Sequence, residues 1–290
     1  MVSLKKGLDN VNNQYSEAAQ IAQSYYDSLD TDRIYTMIWG GEHIHFGIYL
    51  EPDDSIVEAS QQIVRIMATM LHQIGQSSQV IDLGAGYGGT ARYLAKNYGC
   101  FVSCLNLSEL QNQRNLAINQ AQKLNHRIEV KQGSFENIPY DNCSFDIVWS
   151  QDAMIHSGNR RQVLQEIRRV LKPGGELIFT DTLRNHDCSP EQLQSAFNRL
   201  QIKDAGSFLF YQNTLQELSF EEIKVIDFSQ HVSTHYIRFR DEILQRYEEI
   251  LEQTSKAAID KTIKSIEPWI DFYKKGKMQW GLFHYRLPNN

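Results

Sequence analysis

The chain has 290 residues, 41% hydrophobic and 22% charged, which is enough apolar material for a sizeable core and too little bias for a fibrous or disordered protein. Acidic side chains outnumber basic ones by 35 to 29, and the resulting −6 argues against nucleic acid or an anionic membrane as the main partner. No apolar run approaches the roughly 20 residues of a membrane span, residues 1–10 offer no secretory leader, and Cys100, Cys104, Cys143 and Cys188, at no metal or redox spacing, suit a reducing, cytoplasmic setting.

In chain order, residues up to about 76 read as helical and aromatic. Ile56, Ile63, Ile66, Met67, Met70, Leu71 and Ile74 recur at helical spacing behind Asp54 and Ser55, either of which can cap the helix. From 77 to about 182, short apolar runs at 80–83, 101–107, 127–130, 145–149 and 176–179 alternate with helical patterns, notably at 110–124 and 160–171. That alternation predicts a parallel sheet covered on both faces. Farther on, 187–218 reads as a helical insertion, 222–228 as a sixth strand, and 232–251 as one long amphipathic helix with Tyr236, Phe239, Ile243, Tyr247 and Ile250 in register. Residues 279–287, aromatic and bounded by Gly276 and Pro288, read as a final strand. The expected architecture is one doubly wound α/β domain with helical additions over its ligand edge.

The most informative segment is Val80-Ile81-Asp82-Leu83-Gly84-Ala85-Gly86-Tyr87-Gly88-Gly89, a strand feeding a glycine-rich turn that opens a helix near Thr90. Glycines let a ligand touch the backbone, and the helix N-terminus offers free N–H groups. The spacing Gly84-x-Gly86-x-x-Gly89 also fits the dinucleotide fingerprint, so the spacing alone leaves the ligand open. Asp82 separates the readings, because a carboxylate there meets a cationic amino group and repels a pyrophosphate. Asn106, 20 residues past Gly86, stands at the ribose position.

This arrangement resembles the class I S-adenosylmethionine-dependent methyltransferases over most of the chain. Gly133-Ser134-Phe135 stands where that family places adenine contacts, Phe145-Asp146-Ile147-Val148-Trp149-Ser150 matches its fourth strand, and Leu171-Lys172-Pro173-Gly174-Gly175 matches its turn into the fifth. The resemblance implies a Rossmann-like sheet with an antiparallel last strand, a helical lid over 1–76, and the methyltransferase domain over 77–290. S-adenosylmethionine would be held by Asp82, Gly84, Gly86, Asn106, Leu107, Ser134, Phe135 and Gln151. The family usually has acids where this chain has Asn106 and Ser134; an amide can still hydrogen-bond a diol.

Within the family, Trp149-Ser150-Gln151-Asp152-Ala153-Met154-Ile155-His156 is similar to the small-amine branch, the phosphoethanolamine and the sarcosine/dimethylglycine methyltransferases. The resemblance makes Asp152 and His156 the amine-site residues, with Tyr26 of the lid pairing with His156, and the three are expected to orient and deprotonate the amine, His156 as the base. If Asp152 and His156 lie on one helical turn, their spacing of four gives them a shared face; the structural alternative is that Asp152 caps the next helix. His43-x-His45 beside Glu42 has no third partner nearby and is not expected to hold a metal.

The cationic and hydroxyl groups with which phosphobase enzymes hold phosphate are not evident: by alignment, the inserted-region Tyr and Arg fall near Gln201 and Ala205, and other positions carry Thr182 and Trp269. Aromatics suit a substrate that becomes a quaternary ammonium, each face attracting it by about 0.5–2 kcal/mol. Trp39 and Trp269 lead the candidates, with Tyr25, Tyr26, Phe46 and Trp280 behind, and Arg184, then Arg286, is the expected partner for a substrate carboxylate. The implied reaction is N-methylation of sarcosine and N,N-dimethylglycine to the osmolyte glycine betaine. A phosphobase methyltransferase and a non-catalytic S-adenosylmethionine sensor are the alternatives. The last strand and the long helices are the expected face for any homodimer.

Overall fold

The computed structural model describes residues 15–289, so the reading of residues 1–10 lies outside the described part. Helices α1 (Glu17–Tyr26), α2 (Leu29–Trp39) and α3 (Ile56–Met70) precede the sheet. Each begins at a serine whose hydroxyl accepts a first-turn N–H, worth about 0.5–2 kcal/mol per helix. At α3 the cap is Ser55, closed reciprocally by Glu58; Asp54 instead accepts the N–H groups of Leu50 and Glu51.

The sheet alternates with helices as the apolar pattern requires: β1 (Gln79–Leu83), α4 (Gly89–Tyr98), β2 (Phe101–Asn106), α5 (Glu109–Ala121), β3 (Ile128–Gln132), β4 (Phe145–Gln151), α6 (Arg160–Val170) and β5 (Leu171–Arg184). The fifth strand is much longer than its apolar stretch, because Leu171-Lys172-Pro173-Gly174-Gly175 joins it and its far end pairs with the last strand to Arg184. Then come α7 (Gln194–Leu200), α8 (Phe208–Glu217), β6 (Glu221–Asp227), α9 (Gln230–Gln245), α10 (Tyr247–Leu251), α11 (Lys256–Lys274) and β7 (Met278–Arg286). The expected single helix over 232–251 is interrupted at Arg246, and α11, whose interior holds Pro268, escaped the sequence reading.

The seven strands run in the order β3-β2-β1-β4-β5-β7-β6, parallel except for β7, which is antiparallel to both neighbours. Side chains alternate across the sheet: Ile147 and Trp149 enter the core on one face and Val148 the core on the other. The first core also takes Ile34, Ile38, Ile63 and Met67 from the N-terminal helices and Phe239 and Trp269 from the C-terminal ones, so both groups clamp the same face. Because β7 lies between β5 and β6, it offers no free edge for pairing with another strand. No helix among the described residues is long and apolar enough to cross a membrane. The strand order reverses between β1 and β4, and there an open α/β sheet leaves a crevice at its carboxyl edge.

Candidate active site

Two contiguous pockets occupy that crevice. The first encloses about 790 Å3, its open mouth included, and is walled by the ends of four strands: Asp82 of β1 and Gly84 after it, Asn106 at the end of β2 and Leu107 after it, Gly133 and Phe135 after β3, and Gln151 at the end of β4. Gly84 and Gly86 have φ of 76° and 54°, a region that side chains rarely adopt. A Cβ on Gly84 would also collide with Ala153. The ligand-facing turn is thus closed to any bulkier residue.

Gln151 shows how the polar wall is oriented. Its Oε1 accepts from Thr90 Oγ1 at 2.7 Å and from Trp149 Nε1 at 2.9 Å. With the oxygen so engaged, the amide nitrogen is the free end, and Nε2 is buried without a partner. The pocket therefore holds an unpaired donor on one side and the Asp82 carboxyl on the other. Burial pushes Asp82 up to about 7, which a cationic ligand group would reverse. Asn106 donates from Nδ2 to Gln111 Oε1 at 3.0 Å, leaving Oδ1 as an acceptor. These features fit the amino, carboxylate and ribose groups of S-adenosylmethionine. Ser134 departs from expectation: its hydroxyl accepts the Glu136 N–H at 3.1 Å, and only its neighbours Gly133 and Phe135 line the wall.

The second pocket adjoins the first through Tyr26, Ile44, His45, Asp152 and His156, which line both. Tyr26 Oη lies 3.0 Å from His156 Nε2, joining α1 to the segment after β4. Asp152 is not on a helical turn with His156 and caps nothing. It follows β4 with φ of 51°, and only Met154–His156 forms a single 3-10 turn. Its carboxylate accepts the Phe46 N–H at 2.9 Å and the Trp280 Nε1–H at 2.7 Å, while its own N–H donates to Thr180 O. A residue held in the left-handed region by three such ties is the kind of local strain found at working sites. Burial raises the Asp152 pKa, opposed by the Phe46 backbone N–H, the Trp280 indole and Thr180. Burial, with Arg160 nearby, lowers His156 to about 4, so its imidazole is neutral at physiological pH, and its Nδ1 has no partner.

The loop after α2 closes over both pockets. Gly89 N donates to Glu42 O, Arg92 grips the Glu42 carboxylate, and Phe46 N reaches Asp152. His45 Nδ1 lies 2.8 Å from Phe46 O and its Nε2 3.1 Å from His43 Nδ1, so the paired imidazoles serve the loop's own hydrogen bonding.

A family profile described as a methyltransferase domain matches residues 81–179. The chain is 42% identical to a sarcosine/dimethylglycine N-methyltransferase of Halorhodospira halochloris, over 93% of this chain and 97% of that one. It is 40% identical to the enzyme of the same name from Aphanothece halophytica, over 93% and 98%. A crystal structure assigned as a sarcosine dimethylglycine methyltransferase from Galdieria sulphuraria superposes with a TM-score of 0.86 at 35% identity, covering 92% of this chain and all of that one. The chain belongs to the sarcosine/dimethylglycine N-methyltransferase family.

Among the residues expected to give this family member its substrate pocket, Trp39 and Trp269 do line the second pocket, with Tyr26, Tyr35, Phe46 and Tyr236. Trp280 instead buttresses Asp152, and Tyr25 stands behind Tyr26, its ring 5.0 Å away edge to face. Arg184 is not in the pocket. It pairs with Asp204 at 2.8 Å and donates to Cys188 O, which fastens the insertion to the end of β5. Arg286 lies at the opposite edge of the sheet, 3.7 Å from Glu176. The arginine that does line the pocket is Arg199 on α7. Its signal was faint: Ala196 and Arg199 stand three apart on a helix whose apolar face is Ala196, Phe197 and Leu200. One cation on an otherwise apolar stripe reads as a solvated edge until the partner helices are in place.

Proposed function

We propose that this chain is an S-adenosylmethionine-dependent N-methyltransferase that converts sarcosine and N,N-dimethylglycine to glycine betaine. The observation that carries the reading is an acceptor pocket built of aromatic rings around one buried carboxylate, Asp152, opening directly into the glycine-walled cleft. The family assignment and the relatives' names support the same choice. The cytoplasm is the proposed setting and osmolyte synthesis the proposed role, both following from the substrate and from free cysteines. A small molecule, not nucleic acid or membrane, is the proposed partner. Of the expected lid, the described residues 15–76 act as the cover of one integrated domain, with 187–218 inserted.

Asp82 would hold the cofactor's amino group, Gln151 its carboxylate, Asn106 the ribose, and Leu107 and Phe135 the adenine faces, with Gly84 and Gly86 admitting it to the backbone. When bound, S-adenosylmethionine supplies an electrophilic methyl group, whose transfer leaves a positive charge on the acceptor nitrogen. Asp152, buried and with its oxygens fixed by Phe46 and Trp280, would face that charge from the junction of the two pockets, the kind of setting in which preorganised electrostatics act most strongly. The rings of Trp39 and Phe46 add cation–π attraction. Tyr26 and His156 orient the amine. With a pKa of about 4, His156 is too weak a base to strip a proton from an ammonium. The pair therefore selects the free amine, His156 accepting an N–H where the amine has one.

Methyl transfer from labelled S-adenosylmethionine to glycine, sarcosine, dimethylglycine and phosphoethanolamine tests the reading. Turnover is expected with sarcosine and dimethylglycine. Turnover with phosphoethanolamine alone would replace it with the phosphobase alternative, and cofactor binding without turnover of any amine would favour the sensor.

A further inference from the structure

The second pocket contains a cation that the methyl-transfer chemistry does not use. Arg199 projects from α7 against the faces of Tyr236 and Phe239, its guanidinium carbon 5.6 and 5.7 Å from the two ring centroids. Its Nη2 donates to Tyr35 Oη at 2.9 Å, and Tyr35 in turn lies 2.7 Å from Tyr25 Oη. Its Nη1 is buried with no hydrogen-bond partner, and no carboxylate pairs with it among the described residues. A guanidinium stays charged, and shielding it from water behind aromatic rings and the neutral phenols of Tyr35, Tyr25 and Tyr236 is costly unless an anion completes its shell.

A second donor shares the predicament. Trp269, fully buried on α11, lines the same pocket, and its Nε1–H also lacks a partner. The Trp269 ring packs 5.7 Å from the ring of Tyr236, so both orphan donors flank one aromatic. Two unpaired N–H donors, one of them cationic, in one aromatic pocket specify an anionic oxygen ligand. The pocket's other end, at Tyr26, Asp152 and His156, is where the amine is methylated. We propose that Arg199 and Trp269 bind the carboxylate of an N-methylated amino acid and so determine the specificity of this site for amino acids over amino alcohols and phosphobases. The proposal rests on the N-methyltransferase reading above. It fits a short spacer between amine and acid, since one pocket must hold both ends, and it fits a planar carboxylate, which a guanidinium fork matches.

The test compares dimethylglycine with N,N-dimethylethanolamine, which carries the same amine and a hydroxyl in place of the carboxylate. Wild-type enzyme is expected to favour dimethylglycine. Arg199→Met is expected to raise the KM for dimethylglycine on the order of 100-fold, leave that for dimethylethanolamine within about threefold, and so erase the preference. Arg199→Lys, which keeps the charge and loses the fork, recovers part of it. Trp269→Phe, which keeps the ring and loses the N–H, gives a smaller loss of the same kind. Calorimetric binding of dimethylglycine in the presence of S-adenosylhomocysteine should weaken in parallel, while affinity for S-adenosylhomocysteine, whose pocket Arg199 does not line, stays unchanged and reports intact folding. If Arg199→Met fails that folding check, the Lys and Phe variants decide. Unchanged dimethylglycine KM and affinity in the folded variants would overturn the proposal. A wild-type enzyme that methylates no N-methylglycine would instead overturn the function on which it rests.

Discussion

Asp152→Asn removes one negative charge and leaves the shape of the site almost unaltered. Asparagine is among the few residues that adopt a φ near 51° with little strain, so the backbone at the end of β4 should hold. The side chain cannot fit so neatly. Both Asp152 oxygens accept N–H donors, from Phe46 at 2.9 Å and from Trp280 at 2.7 Å. An amide has one oxygen, so its NH2 must face one of these donors and leave it unsatisfied, at about 1–3 kcal/mol. Release of a buried carboxylate from its desolvated position offsets part of that. The net stability change should be small, within about 2 kcal/mol by these opposing terms. The effect on turnover is larger, because in the proposed reaction the quaternary cation forms opposite this carboxylate. Removing one preorganised electrostatic partner in a water-poor site costs about 100- to 1,000-fold in kcat. The assay is single-turnover methylation of dimethylglycine with saturating S-adenosylmethionine, beside a thermal melt. The neutral amine, having no net charge to stabilise, should lose less affinity than the betaine product does. A variant that retains kcat within threefold of wild type, with the fold intact, would refute the electrostatic role.

Three other outcomes follow from the same geometry. Asp82, raised to about 7 by burial, is half protonated in the free protein near neutrality, and its ionised form is the one an ammonium group favours. Affinity for S-adenosylhomocysteine should therefore fall as pH drops below 7, approaching tenfold per unit, with proton release on binding at pH 6–7; a flat calorimetric profile from pH 5.5 to 8 counts against the amino-group contact. His156, lowered to about 4, stays neutral above pH 5, so kcat/KM for dimethylglycine should climb with the free-amine fraction toward the pKa of an aliphatic amine, about 10, without an inflection near 6.5. An inflection there that disappears in His156→Gln would restore the imidazole as a proton acceptor. Gly84→Ala places a side chain at φ 76° against Ala153, at a cost of about 1–3 kcal/mol of backbone strain, and should abolish S-adenosylhomocysteine binding in a filter or calorimetric assay while melting several degrees lower.

The cofactor half of the site was legible in the sequence because it is made of consecutive residues at the ends of strands. Val80 to Gly89 carries its strand, turn and helix start in one run, and Asn106 and Gln151 follow from the register of β2 and β4 against β1. Backbone pattern and local chemistry decide such positions together. The acceptor half is assembled from α1, α2, the loop after it, α7, α9 and α11, elements far apart in sequence whose mutual placement depends on packing. No local spacing links Tyr26 to His156, 130 residues later, and only the resemblance to known amine methyltransferases joined them. The same limitation misplaced the arginine. Arg184 closes a strand, the position at which an open sheet presents its ligands, yet Asp204 folds back to neutralise it. Arg199 sits on a short helix where nothing in the sequence singled it out, and only the arrival of Tyr35 from α2 and of Tyr236 and Phe239 from α9 strips it of water without supplying an anion. Asp152 misled in a different way. Its spacing from His156 suggested a helical face, but a left-handed residue after β4 turns its carboxylate toward Phe46 and Trp280 instead. In each case the sequence displayed the chemical group, and its role was decided by which distant donors and acceptors the fold brought, or failed to bring, within hydrogen-bonding distance.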